Sequence, residues 1–146
     1  MSLLMIVAAA AAASGDAPRP LPLEQALAGR WQTQTRHGIV EIGACEGSAR
    51  GPLCARLVSS DNLRKNPALR DLNNRDAALR SRPLMNLVIL QGFHRADGGF
   101  AGGTIYNAED GGTYQATLTP VDANTIKVKG CIIWPLCKSQ TWTRIK

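Results

Sequence analysis

From residue 29 onward, apolar and polar side chains alternate with a period of two. Trp31, Thr33 and Thr35 alternate with Gln32 and Gln34, Tyr114, Ala116 and Leu118 with Thr113, Gln115 and Thr117, and Ile126 and Val128 with Thr125, Lys127 and Lys129. Successive side chains of a strand point to opposite faces, so this spacing predicts sheet with one dry and one wet face. Turn residues divide the pattern into eight strands, over 29–36, 38–44, 53–59, 84–93, 99–107, 112–119, 124–132 and 138–145. The breaks are His37-Gly38, the segment between Cys45 and Cys54, residues 59–83, Asp97-Gly98-Gly99, Asp110-Gly111-Gly112, Asp122-Ala123-Asn124 and Trp134-Pro135. Asp-Gly turns favour tight hairpins, and short links require antiparallel neighbours. The prediction is an all-β, eight-stranded, up-and-down antiparallel barrel over residues 29–146, interrupted by one long loop, 60–82.

A closed barrel brings its first and last strands together, and both ends of this pattern carry residues suited to that seam. Gly29-Arg30-Trp31 opens the first strand and Trp142-Thr143-Arg144 ends the last. An indole from Trp31 can plug one end of the barrel with the Arg144 guanidinium across its face, a contact worth roughly 0.5–2 kcal/mol. Trp142 shares strand parity with Arg144 and competes for the same place. Eight strands either fill their interior with side chains or hold one small ligand.

Outside the barrel pattern, residues 1–13 carry no charged side chain, and an apolar run passes into alanines with cleavage expected after Ala13. This is the shape of a secretory signal, too short to span a bilayer in the mature protein. Residues 14–28 form a Pro-rich lead-in with one helical turn over 21–27. Periplasmic or extracellular export fits the four cysteines. Of their three connectivities, the local one, Cys45–Cys54 with Cys131–Cys137, is favoured because each pair brackets a turn, and each bond stabilises by roughly 2–3 kcal/mol. Neither pair has the Cys-x-x-Cys spacing of a zinc knuckle.

The net charge of +6 changes the picture in one place. Residues 61–82 carry Arg64, Lys65, Arg70, Arg75, Arg80 and Arg82 against Asp61, Asp71 and Asp76. The segment lacks the interleaved aromatics of a single-strand nucleic-acid surface, so anionic lipid, lipopolysaccharide or an acidic partner fits better. Residues 67–72 and 75–80 are each expected to form a helical turn. A connection this long in a compact domain is commonly functional, so it is read as a lid.

Several runs together resemble the bacterial domain-of-unknown-function 2147 family. They are Gly29-x-Trp31, Val40-Glu41-Ile42 before Cys45, Leu53-Cys54-Ala55-Arg56, Asp71-x-x-Asn74, Leu79-Arg80-Ser81-Arg82-Pro83-Leu84, Gly103-Thr104-Ile105-Tyr106, Gly112-Thr113-Tyr114 and Gln140-Thr141-Trp142-Thr143-Arg144. The resemblance covers residues 29–144 and implies a small exported protein with a lipocalin-like (calycin) barrel. It brings no catalytic residues. Asn86 stands where members usually have Gly, and Arg75 where they usually have Pro, so the ligand is expected to differ from those of relatives.

Chemistry is sparse. There is no Gly-x-Ser-x-Gly elbow, the histidines His37 and His94 sit at a turn and a strand end, and Glu41 with Asp71 is the only carboxylate pair that an acid–base reaction could use. No catalytic residue, metal or cofactor is expected. The reading is a non-catalytic carrier of a small hydrophobic or amphipathic, even anionic, molecule, with Arg80, Arg82, Tyr106, Tyr114 and Asn86 as candidate ligand contacts. An arginine pair at a barrel mouth can fork onto carboxylate or phosphate. Asp71 and Asn74 can instead tie these arginines down by salt bridge and amide hydrogen bonds, and that structural role is favoured for them, as core packing is for Tyr106 and Tyr114. The alternative function is an envelope interaction module that presents the basic loop 61–82 to an anionic surface.

Overall fold

The computed structural model describes residues 10–12 and 15–146. The segment read as an export signal lies, apart from residues 10–12, outside the described residues. Nine strands follow in order: β1 (Gly29–Gln32), β2 (Ile39–Gly43), β3 (Cys54–Ser59), β4 (Val88–Gln91), β5 (His94–Ala96), β6 (Gly99–Asn107), β7 (Gly112–Asp122), β8 (Thr125–Ile133) and β9 (Leu136–Arg144). Every pairing is antiparallel, the order is β4-β3-β2-β1-β9-β8-β7-β6-β5, and an additional β4–β6 pairing closes the ring. β4 and β5 both pair with β6, through Leu90↔Ile105 and His94↔Ala101, so they are two pieces of one course in an eight-stranded barrel.

Two strand expectations need correcting. The strand expected over 84–93 begins later and breaks at Gly92, whose N–H donates to the Arg50 carbonyl at 2.6 Å instead of to a neighbouring strand. The break turns Phe93 into the core, where its ring meets Phe100 edge-on at 6.5 Å. The strand expected over 29–36 ends at Gln32. Beyond it, Gly38 donates to Thr35 and Thr33 to Gly38 in a tight turn, with Arg36 and His37 both at positive φ (51° and 46°). Two successive left-handed residues match the right-handed twist of a hairpin. Non-Gly residues hold that conformation only when neighbours fix it. A short helix, α2 (Asp61–Lys65), does so, through Asp61 N–H on the Arg36 carbonyl at 3.2 Å and the Asp61 carboxylate on His37 Nδ1 at 3.1 Å.

The long connection is ordered by its own caps. Ser60 accepts the N–H of Leu63 to start α2, whose Leu63 is buried, and Asp76 caps a 3₁₀ turn over Ala77–Leu79. The helical turn expected within 75–80 is present as the 3₁₀ turn 77–79, whereas 67–72 is not helical and the other helical turn lies at 61–65. Asn66-Pro67 stops the first, because a residue before proline is pushed out of the helical region.

The core fills one end of the barrel. Trp31 is fully buried and its Nε1 donates to the Leu27 carbonyl at 2.9 Å, which docks the preceding helix α1 (Leu23–Ala26) over that end. The Arg144 guanidinium lies 4.3 Å from the Trp31 ring centroid and donates to the carbonyls of Ala26, Ala28 and Ala123 at 2.6, 3.0 and 2.9 Å. Gly29 leaves it room, since a Cβ there would stand 3.3 Å from Nη1. Because neighbouring strands alternate in direction, this plugged end carries the loops after β2, β5 and β7. The opposite end carries turn 33–38, loop 60–87, turn 108–111 and the β8–β9 tip.

Candidate functional site

That opposite end is open, and the barrel beneath it is hollow. A cavity of about 860 Å³ runs down from it, walled by Val40, Leu57, Ile89, Ile105 and Val128, with Trp142 among its buried lining residues. Leu57, Ile89 and Ile105 pack against the core yet are only partly buried. Trp142 is buried, its Nε1 donating to Gln140 Oε1 at 3.0 Å. Its indole therefore belongs to the cavity wall, and Arg144 alone covers Trp31.

The rim is polar. Arg36 and Glu109 both line it and form an ion pair at 2.6 Å. They belong to turns four strands apart around an eight-stranded ring, so their bridge spans the mouth. Arg70 and Lys138 add positive charge, and Asp110 accepts from the Tyr114 hydroxyl. That hydrogen bond, together with partial burial, pushes the Tyr114 phenol above its ordinary value.

Loop 60–87 is held by one buried carboxylate. Asp71 accepts from Arg82 Nε at 2.8 Å, from Asn74 Nδ2 at 2.9 Å and from the Tyr106 hydroxyl on β6. Arg82 also lies 5.1 Å from the Tyr106 ring centroid, and Arg80 Nε donates to the Asn74 carbonyl at 2.8 Å. Burial pushes the Asp71 carboxyl up, but the hydrogen bonds from Tyr106, Asn74 and Arg82 outweigh it and hold the group below the usual carboxylate range. Burial, and after it the hydrogen bond to Asp71, pushes the Tyr106 phenol up to about 12. The two runs Asp71-x-x-Asn74 and 79–84 thus meet at a single anchor.

The candidate contacts separate accordingly. Tyr106 and Tyr114 line the cavity, although the Tyr106 hydroxyl is engaged by Asp71. Arg80 and Arg82 point to Asn74 and Asp71 and do not line it. Asn86 lies outside it too, at φ 63°, with its carbonyl accepting from Arg56 Nη1 at 3.1 Å. Asn is the residue that best tolerates that left-handed conformation after Gly, so its departure from the family pattern has a backbone cause. Arg75 likewise contributes an N–H to the Gly111 carbonyl at 3.4 Å, a bond that proline cannot make. Glu41 pairs with Arg30 and His37 with Asp61, apart from the cavity. His94 does not line it either. Among the described residues no group of three metal-ligating side chains occurs. In the basic segment, Arg64, Arg70, Arg75, Arg80 and Arg82 each make a hydrogen bond within the protein, while all but Arg82 stay exposed.

Sequence reasoning passed over most of the wall, including Leu57, Ile89 and Ile105, as well as the rim residues Arg36, Glu109 and Lys138. Strand parity marks an inward residue but does not say whether another side chain fills the space opposite it.

Cys45 joins Cys54 beneath the plugged end, and Cys131 joins Cys137 within the β8–β9 hairpin. Among the described residues no helix is long and apolar enough to cross a membrane. A family model described as "Uncharacterized protein conserved in bacteria (DUF2147)" matches residues 29–144. No curated protein matches the chain. Among solved structures, the chain is similar to protein HP1028 from the human pathogen Helicobacter pylori, described as belonging to the lipocalin family. The two share 24% sequence identity with a TM-score of 0.68, over 82% of this chain and 83% of that one.

Proposed function

The chain belongs to the bacterial family whose model spans its residues 29–144, and on that premise we propose that it is an exported, non-catalytic carrier of one small amphipathic molecule. The observation that carries this reading is the cavity of about 860 Å³. Small-molecule sites run from about 300 to 1,000 Å³, with mostly apolar walls and few polar groups. The apolar part of the ligand lies between Leu57, Ile89, Ile105 and Val128, and its polar end meets Arg36, Arg70 and Lys138 at the rim. The positive charges there favour a carboxylate or phosphate. A lipocalin-like fold supports a binding role, and two disulfides support folding in an oxidising compartment, periplasmic or extracellular.

Native mass spectrometry of the protein purified from its own host tests the proposal. The expected spectrum carries one non-covalent adduct that is released on unfolding. A bare protein that also fails to take up a fluorescent fatty-acid analogue would remove the reading.

A further inference from the structure

The β8–β9 hairpin ends in a run of apolar side chains that none of the described residues covers. Ile132, Ile133, Trp134 and Leu136 are 73%, 67%, 73% and 65% exposed. A solvated hairpin tip has no folding reason to carry four such residues in five positions, and contiguous exposed apolar surface marks an interaction site. The tip is also rigid. The Cys131–Cys137 disulfide lies across its base, and the two strands stay paired up to Ile133↔Leu136.

The charge around the tip identifies its occupant. From Thr125 to Arg144 the two strands carry Lys127, Lys129, Lys138 and Arg144 and no acidic residue. Lys127 and Lys138 are exposed, and the Lys129 ammonium lies 4.4 Å from the Trp134 ring centroid. The nearby acidic rim groups are engaged, Glu109 by Arg36 and Asp110 by Tyr114. A second copy of the chain would bring the same cations against each other. Tryptophan concentrates at the membrane–water interface, apolar neighbours enter the acyl boundary, and cations above them meet anionic headgroups.

We infer that the disulfide-stapled tip of the β8–β9 hairpin docks the protein on an anionic lipid surface, with Ile132, Ile133, Trp134 and Leu136 inserted and Lys129 and Lys138 on the headgroups. Ile132 and Leu136 also line the cavity mouth, so docking turns that mouth toward the bilayer. Lys129, Ile133 and Trp134 do not line the cavity, so the inference stands whether or not the barrel carries a ligand.

The full chain supplies its own reporter, because Trp31 and Trp142 are buried and Trp134 alone is exposed. Vesicles of phosphatidylcholine mixed with phosphatidylglycerol are expected to shift its emission to the blue and shield it from aqueous acrylamide. Pure phosphatidylcholine is expected to do so much less. Ile133→Ser with Trp134→Ser is expected to weaken co-sedimentation with the mixed vesicles by roughly tenfold or more. Lys129→Gln is expected to lose about fivefold, with the wild-type binding falling as salt rises. Uptake of a fatty-acid analogue should survive the Ser pair and Lys129→Gln, since none of the three residues lines the cavity, which separates failure of docking from failure of the cavity reading. The near-ultraviolet spectrum of Trp31 and Trp142 verifies folding. Vesicle binding unaffected by the Ser pair would overturn the inference. So would a blue shift that needs protein concentration in place of lipid, which would assign the tip to a second copy, or one that needs an acidic protein and ignores vesicles.

Discussion

Trp31 and Arg144 act as one unit at the plugged end. Trp31→Ala removes a fully buried indole and is expected to cost about 3–5 kcal/mol in chemical unfolding. Arg144→Ala gives up three hydrogen bonds to carbonyls and the stacking, and is expected to cost about 1–3 kcal/mol. Both changes lie at the opposite end from the mouth, so a folded Arg144→Ala protein should take up a fatty-acid analogue as the wild type does. Loss of uptake at unchanged stability would assign the arginine to the binding site. The second residue-scale prediction concerns pH. Tyr106 has its folded value raised to about 12, so the stability it contributes is complete below its ordinary value near 10 and is lost as pH rises through 12. Asp71 is lowered, so its contribution is present above the ordinary carboxylate value, about 4, and is lost as pH falls through the lower folded value. Tyr106→Phe removes one of the donors to Asp71. It should move acid unfolding to higher pH and abolish the phenol that titrates last in absorbance. An unmoved acid midpoint would mean that Tyr106 does not support the carboxylate.

At the scale of elements, loop 60–87 rests on the β6–β7 turn through backbone contact. Asn73 Nδ2 donates to the Glu109 carbonyl at 3.1 Å, and Arg75 N–H to that of Gly111. Gly111 has φ 71°, and a Cβ on it would stand 1.7 Å from the Asn73 carbonyl oxygen. Gly111→Ala must therefore strain the turn and displace the 71–75 segment, at a cost of about 1–3 kcal/mol from conformation alone. Faster hydrogen exchange over residues 71–75 is the expected signature, and unchanged exchange with an unchanged melting temperature would refute the contact. The strands that sequence analysis located best, β6, β7 and β8, lie between Asp-Gly or Asn-containing turns whose geometry is local. It was least accurate for 84–93, where a non-local demand, the turning of Phe93 onto Phe100, broke the alternation.

At the scale of the molecule, the barrel is hollow, with one plugged end and one polar rim. Ile105→Trp projects an indole into the cavity. It is expected to reduce uptake of a fatty-acid analogue by roughly tenfold or more while stability changes by no more than about 1 kcal/mol, because it occupies space and displaces no atoms. Undiminished uptake would place the ligand elsewhere. The all-β class, the eight strand courses and the antiparallel order were determined by the sequence itself, because a period of two, tight-turn residues and short links are local constraints that few topologies satisfy. The direction of Arg80 and Arg82 was not, since Asp71 captures Arg82 only after loop 60–87 folds back on β6. Asn86 showed its reason only as a backbone angle. The cavity depended most on tertiary structure, because an empty interior is a property of all eight strands together. No single strand records whether the side chains of the others reach the axis.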